Sequence, residues 1–133
     1  MPEKQTVERA RADLRAGKSP STAAGEFVRE EIEHVREGKH GARSTEQAIA
    51  IGLSKARRAG VPLKPPKRGQ AKKDTRQSAK RDYEVGQGKR GSSKPSRKRS
   101  KASSRALKRE PKSTVSKSAL SRHAKVAARR RAR

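Results

Sequence analysis

From Lys64 to the C-terminus the chain carries 26 lysines and arginines against four acids, Asp74, Asp82, Glu84 and Glu110, so +22 of its net charge of +25 lies in that half. The first 63 residues hold 12 basic and nine acidic residues and are close to balance. Charge of one sign at that density repels itself in a compact chain and becomes favourable beside a polyanion. The apolar content points the same way. Only 28% of the residues are hydrophobic, and Phe27 and Tyr83 are the sole aromatics. Such a composition buries too little apolar surface to offset the entropy of ordering. Most of the larger apolar side chains (Val7, Leu14, Phe27, Val28, Ile32, Val35, Ile49, Ile51, Leu53) precede residue 60. The expected fold class is therefore all-α. A small N-terminal helical unit of two to three short helices, residues 1–63, precedes a basic region, 64–133, that is disordered or conditionally helical.

Local signals place three helices in the first part, at about 5–16, 20–37 and 45–58. Val7, Ala10 and Leu14 form a narrow apolar stripe on the first, and Gly17 can end it in the left-handed conformation. Ser19-Pro20 reads as an N-cap followed by proline at the first helical position. Ala24, Phe27, Val28, Ile32 and Val35 give the second helix an apolar face, stopped at Gly38. Ser44 followed by Gln47 is a capping box for the third, along which Ala48, Ile49, Gly52, Leu53 and Ala56 share a side. Lys55, Arg57 and Arg58 suit its C-terminal turn. The seven-residue link GKHGARS predicts an antiparallel hairpin of helices two and three. The second helix also carries Glu26, Glu30, Glu33 and Glu37 as an acidic stripe, with Glu31 nearby, which reads as a solvated face.

Beyond Leu63 the apolar pattern fades. Lys64–Gly69 reads as a proline-containing linker. Residues 70–85 lack glycine and proline and so can be helical, but Ala79, Tyr83 and Val85 give almost no face to bury. Residues 86–96 read as flexible. Residues 97–110 and 113–133 have high helix propensity and are separated by Pro111. Isolated helices of that length are marginal in water, and clustered cations weaken them further. Coil or fleeting helix is expected there, with phosphate favouring helix.

No cysteine is present, so disulfides and thiolate chemistry are excluded. No apolar run approaches the roughly 18 residues of a membrane span, and a cytoplasmic, nucleoid-associated location is expected. His34, His40 and His123 do not sit at i, i+4, and no carboxylate–histidine spacing matches a metal motif. No nucleophile elbow or Gly-rich nucleotide fingerprint occurs. No enzyme, metal, cofactor or small-molecule substrate is expected. Sequence-tolerant phosphate contact is, through Lys67, Arg68, Lys72, Lys73, Arg97, Lys98, Arg99, Lys108, Arg109, Arg129, Arg130 and Arg131. Neutralising about eight phosphates would give a log–log salt slope near −7. Without interleaved aromatics, base stacking on a single strand is not expected. DNA is the expected partner, with RNA or a ribosome-associated role as the alternative. A second alternative is a helical protein-interaction module tethered by its tail. Lys39, Gly41 and Arg43, ahead of the third helix, form a candidate phosphate site. The short hairpin also permits a helix-turn-helix with Thr45, Gln47 and Lys55 facing a groove. Ser92, Ser93, Ser96, Ser100, Ser103 and Ser104 lie among cations, where phosphorylation would weaken polyanion binding.

The stretch SPSTAAGEFVREEIEHVREGKHGARSTEQAIAIGLSKARRAGV, Ser19 to Val61, resembles a family of small basic bacterial proteins with an uncharacterised domain. Gly38 to Gly60 is its most specific piece, and RALKREPKSTVSKSALSRHAKVAARRRAR resembles the C-terminal region of the same family. Members are sometimes labelled plasmid-stabilisation or DNA-binding proteins. The resemblance implies a bacterial setting and a role in nucleoid organisation or plasmid maintenance. The tail is also similar in composition to linker-histone tails.

Overall fold

The computed structural model describes residues 3–91 and 96–132. These residues form six α-helices, α1 (Lys4–Arg15), α2 (Pro20–Arg36), α3 (Thr45–Arg58), α4 (Lys73–Gly86), α5 (Arg97–Arg109) and α6 (Lys117–Ala132). A 3-10 turn, Ser113–Val115, precedes α6. Among the described residues there is no strand, only an isolated bridge between Arg68 and Ala71.

Local chemistry sets the helix ends. Ser19 Oγ accepts from the Thr22 N–H at 3.3 Å and caps α2, leaving Pro20 in the first position. Gly38 ends the same helix with φ +83, a conformation that side chains with a Cβ rarely adopt. Ser44 Oγ accepts from the Gln47 N–H at 3.0 Å at the start of α3. Gln47 Oε1 in turn accepts from the Arg43 N–H at 2.6 Å, one residue earlier than the usual reciprocal box.

The chain divides into two compact units, each built from two stretches of sequence. One comprises Met1–Glu30 with Ile51–Ser93, the other Glu31–Ala50 with Lys94–Arg133. The divisions fall inside α2 and inside α3. In the first unit Ala10, Ala23, Ala24, Phe27, Ala56 and Val61 are buried together, with Val7, Leu14 and Leu53 packed against them. Helices α2 and α3 approach closely there, because a Cβ on Gly52 would lie only 2.6 Å from Val28 Cα. Helix α4 belongs to this unit and buries Ala79 and Asp82. The Asp82 carboxylate accepts from Ser54 Oγ at 2.8 Å and from Arg58 Nε at 2.7 Å. A Cβ on Gly86 would lie 1.7 Å from the Arg57 carbonyl oxygen. A carboxylate and a bare backbone, rather than an apolar stripe, thus dock α4 on α3.

In the second unit Val35, Ala42, Ala48 and Val115 form the core, with Ile32 alongside. Val115 comes from the 3-10 turn and is fully buried. The Gly41 N–H donates to Leu107 O at 2.7 Å and the Ala42 N–H to Pro111 O at 3.0 Å. Thr45 Oγ1 donates to Thr114 O, and the Arg36 guanidinium reaches Val115 O at 3.3 Å. The C-terminal stretch is therefore held chiefly by hydrogen bonds to the loop between α2 and α3.

These contacts overturn the expected fold class. No long disordered C-terminal region follows a small helical unit. Three further helices follow residue 64, and the last of them, Lys117–Ala132, reaches nearly to the end of the chain. The expectation treated each basic segment as an isolated helix and weighed only its apolar face. Tertiary docking through Asp82, Gly86, Gly41 and Val115 supplies what those segments lack alone. The acidic stripe on α2 is not a uniformly solvated face either. Glu30 and Glu31 are buried; Glu30 accepts from the Glu3 N–H at 2.6 Å.

Candidate functional site

Each residue expected to meet phosphate is exposed: Lys67, Arg68, Lys72, Lys73, Arg97, Lys98, Arg99, Lys108, Arg109, Arg129, Arg130 and Arg131. Among the described residues, none of the twelve makes an ion pair with a carboxylate. Lys67, Arg68, Lys72 and Lys73 lie just before α4 and at its start, in the first unit. The other eight lie in the second unit, at both ends of α5 and in the last turn of α6. Other basic residues serve the fold. Arg57 is buried and donates to Leu63 O at 3.1 Å and Lys64 O at 3.3 Å. Burial pulls its guanidinium below its ordinary pKa, opposed by the Asp82 charge.

Helix α5 departs most from ordinary helix construction. It buries none of its residues. Every position from Arg97 to Arg109 is exposed apart from half-buried Leu107. Of its 13 residues seven are cations and none is acidic. The rest, before Leu107, are serine or alanine. Lys98, Lys101, Arg105 and Lys108 follow one another at spacings of three, four and three, which places them along one side. Lys101 and Arg105, absent from the sequence-based set, complete that side. Their signal was present as helical spacing within an acid-free run. Ser96 caps the helix by accepting from the Arg99 N–H at 3.2 Å, and Leu107 O anchors its far end to Gly41. Ser100, Ser103 and Ser104 are exposed on α5; Ser92 and Ser93 lie outside the described residues.

Helix α6 is fixed at its start and bare at its end. Ala119 is buried, and His123 Nδ1 lies 3.3 Å from Glu46 Oε1. Glu46 sits in the first turn of α3. Its carboxyl is held below the ordinary carboxylate range first by hydrogen bonding to its own backbone N–H, against the opposing effect of burial, and further by His123 and Ser44. Arg122, Lys125 and Arg129 to Arg131 are exposed.

The candidate phosphate site at Lys39, Gly41 and Arg43 has a different occupant. The Gly41 N–H already donates to Leu107 O, and the Arg43 N–H to Gln47 Oε1. A Cβ on Gly41 would lie 1.7 Å from Glu110 O, so the close approach that glycine allows is made by the chain's own backbone. Lys39 Nζ lies 3.5 Å from Glu37 Oε2. For the groove-facing set, Thr45 is buried on Thr114 O, and Gln47 closes the loop before α3. Among the described residues no helix is long and apolar enough to cross a membrane. Comparison with protein-family models, with curated proteins and with solved structures finds no match to this chain.

Proposed function

We propose that this protein binds duplex DNA without sequence preference, by phosphate contacts from exposed cationic helices, α5 foremost. The observation that carries the reading is that α5 buries no face while presenting seven cations and no acid. Most helices in proteins are stabilised by the face they bury. Here like charges stand at i, i+4 in Arg97–Lys101, Lys101–Arg105 and Arg105–Arg109, an arrangement that disfavours helix in water. Phosphates would neutralise them. The serines and alanines between the cations keep the helix slim enough for the DNA major groove, which is about 12 Å wide. The major groove of A-form RNA is too narrow for such a helix, and Phe27 is buried away from any base. The resemblance of Ser19–Val61 to basic bacterial proteins labelled DNA-binding agrees, and points to nucleoid organisation or plasmid maintenance.

The test is a salt titration of the intact chain with duplex DNA, duplex RNA and single strands. Duplex DNA is expected to bind tightest, with a log–log slope of about −6 to −7. Replacing Lys98, Lys101, Arg105 and Lys108 together by glutamine should make the slope shallower by about 3 to 4. Equal or tighter binding of duplex RNA would overturn the choice of DNA. A slope near zero would overturn the whole reading.

A further inference from the structure

The i, i+3 pair Glu31 and His34 is too little to mark a metal site in the sequence, yet the fold brings His40 to it and gathers all three in one place. We propose that these three residues form a site for a divalent transition-metal ion, with Zn²⁺ the ion of choice. Glu31 Oε2 lies 3.2 Å from His40 Nε2, and Glu31 Oε1 lies 3.7 Å from His34 Nδ1. One ligand atom from each of the three falls within 4.8 Å of the others. Two ligands on a tetrahedral zinc stand about 3.3–3.5 Å apart, given bond lengths near 2.0–2.2 Å. All three residues belong to the second unit.

The chemistry of His40 carries the argument. Its Nδ1 lies 2.8 Å from the Gly41 carbonyl oxygen. A carbonyl only accepts, so Nδ1 carries the hydrogen. The ring's other nitrogen, Nε2, then faces a buried carboxylate oxygen. In the neutral ring both of those atoms present lone pairs, and they repel unless a cation stands with them. A second proton on the ring or a metal ion would serve. Three features favour the metal. His34 adds a third donor, with its ring nearly perpendicular to that of His40 at 6.3 Å between centroids. Glu31 and His34 stand at i, i+3 on α2, the Glu-x-x-His arrangement by which helices present a carboxylate and an imidazole to one ion. The backbone bond that sets the His40 tautomer is the usual outer support of a metal-bound histidine.

The ligands are also held in place. Gly38 turns the chain back after α2, so that His40 returns over Glu31. Gly41 and Ala42 are bonded to Leu107 O and Pro111 O, which fixes the loop that carries His40. A carboxylate with two imidazoles suits zinc and its first-row neighbours rather than Mg²⁺ or Ca²⁺. Three protein ligands leave a fourth position for water. The ion would tie the end of α2 to the loop on which the C-terminal end of α5 is anchored. The proposal does not depend on the DNA reading.

The test uses the full chain, stripped with a chelator and titrated with Zn²⁺ by calorimetry and with Co²⁺ by visible absorption. One equivalent is expected to bind, with a Kd of about 1 µM or tighter, d–d bands for Co²⁺, and a higher melting temperature. His40→Gln and His34→Gln should each weaken binding at least about 100-fold, whereas His123→Gln should leave it unchanged. Should either variant fail to fold, histidine ring NMR of the wild-type chain decides: Zn²⁺ should shift His34 and His40 and spare His123. No stoichiometric binding, or shifts confined to His123, would overturn the proposal.

Discussion

At the residue scale, small side chains and one carboxylate do work that large apolar residues do elsewhere. Gly52 lets α2 and α3 touch, with no room for a Cβ against Val28. Gly52→Ala should therefore destabilise the chain by about 1–3 kcal/mol through overpacking, despite alanine's better helix propensity; the urea midpoint reads this. Asp82 gathers Ser54 and Arg58 on α4. Asp82→Ala should cost about 1–2 kcal/mol and raise amide exchange in α4 more than in α1. Exchange increasing equally in both would show that Asp82 is not the specific dock of α4. Glu46 gives a pH dependence of known sign. Its folded carboxyl is held below the ordinary range, so its contribution is present above that range and is lost as pH falls through it. The side chain is largely exposed, so the effect is small. A side-chain NMR titration should show Glu46 titrating below the ordinary glutamate range, and His123→Gln should move it part of the way back. The two interhelical glycine contacts and the Asp82 dock were not legible in the sequence, because neither residue type announces a tertiary partner.

At the element scale the N-terminal helices were legible from their caps and stops. Ser19, Ser44 and Gly38 act through neighbours within a few residues, and such local bonds survive whatever the rest of the chain does. The docking of α4 and the 3-10 turn were not. Their anchors are distant in sequence: Ser54 for Asp82, Val35 and Ala48 for Val115. Helix α5 stands apart, with an end anchor at Leu107 and no buried face. Its amides should exchange fastest among the six helices at low salt, because like-charge repulsion opens it. Near 1 M salt, where the screening length falls to about 3 Å, they should slow. Duplex DNA at low salt should slow them further. Exchange in α5 that ignores both salt and DNA would refute a charge-limited helix.

At the scale of the whole molecule, the two halves that differ so sharply in charge do not form separate units. Each unit joins an early and a late stretch of sequence. Residues 1–63 lack α4 and Val115, and residues 64–133 lack the loop that anchors α5. Either half made alone should therefore melt without a cooperative transition, whereas the intact chain should show one; a sharp transition for 1–63 would contradict this. Binding is better probed by surface substitutions on α5 than by deleting 64–133, since the deletion removes core as well as charge. The exposure of the twelve cations was legible because charge belongs to a residue wherever it lies, and a charged side chain without a partner stays in water in almost any fold. That α5 is anchored by its C-terminal end, that Arg57 is buried, and that His40 meets Glu31 were decided only by the tertiary structure. By itself the sequence determined the net charge, its uneven distribution and the local helix signals, because those depend on residue identity and near neighbours. The docking of the basic half was decided in three dimensions, since contacts between residues far apart along the chain leave no periodic trace in either segment.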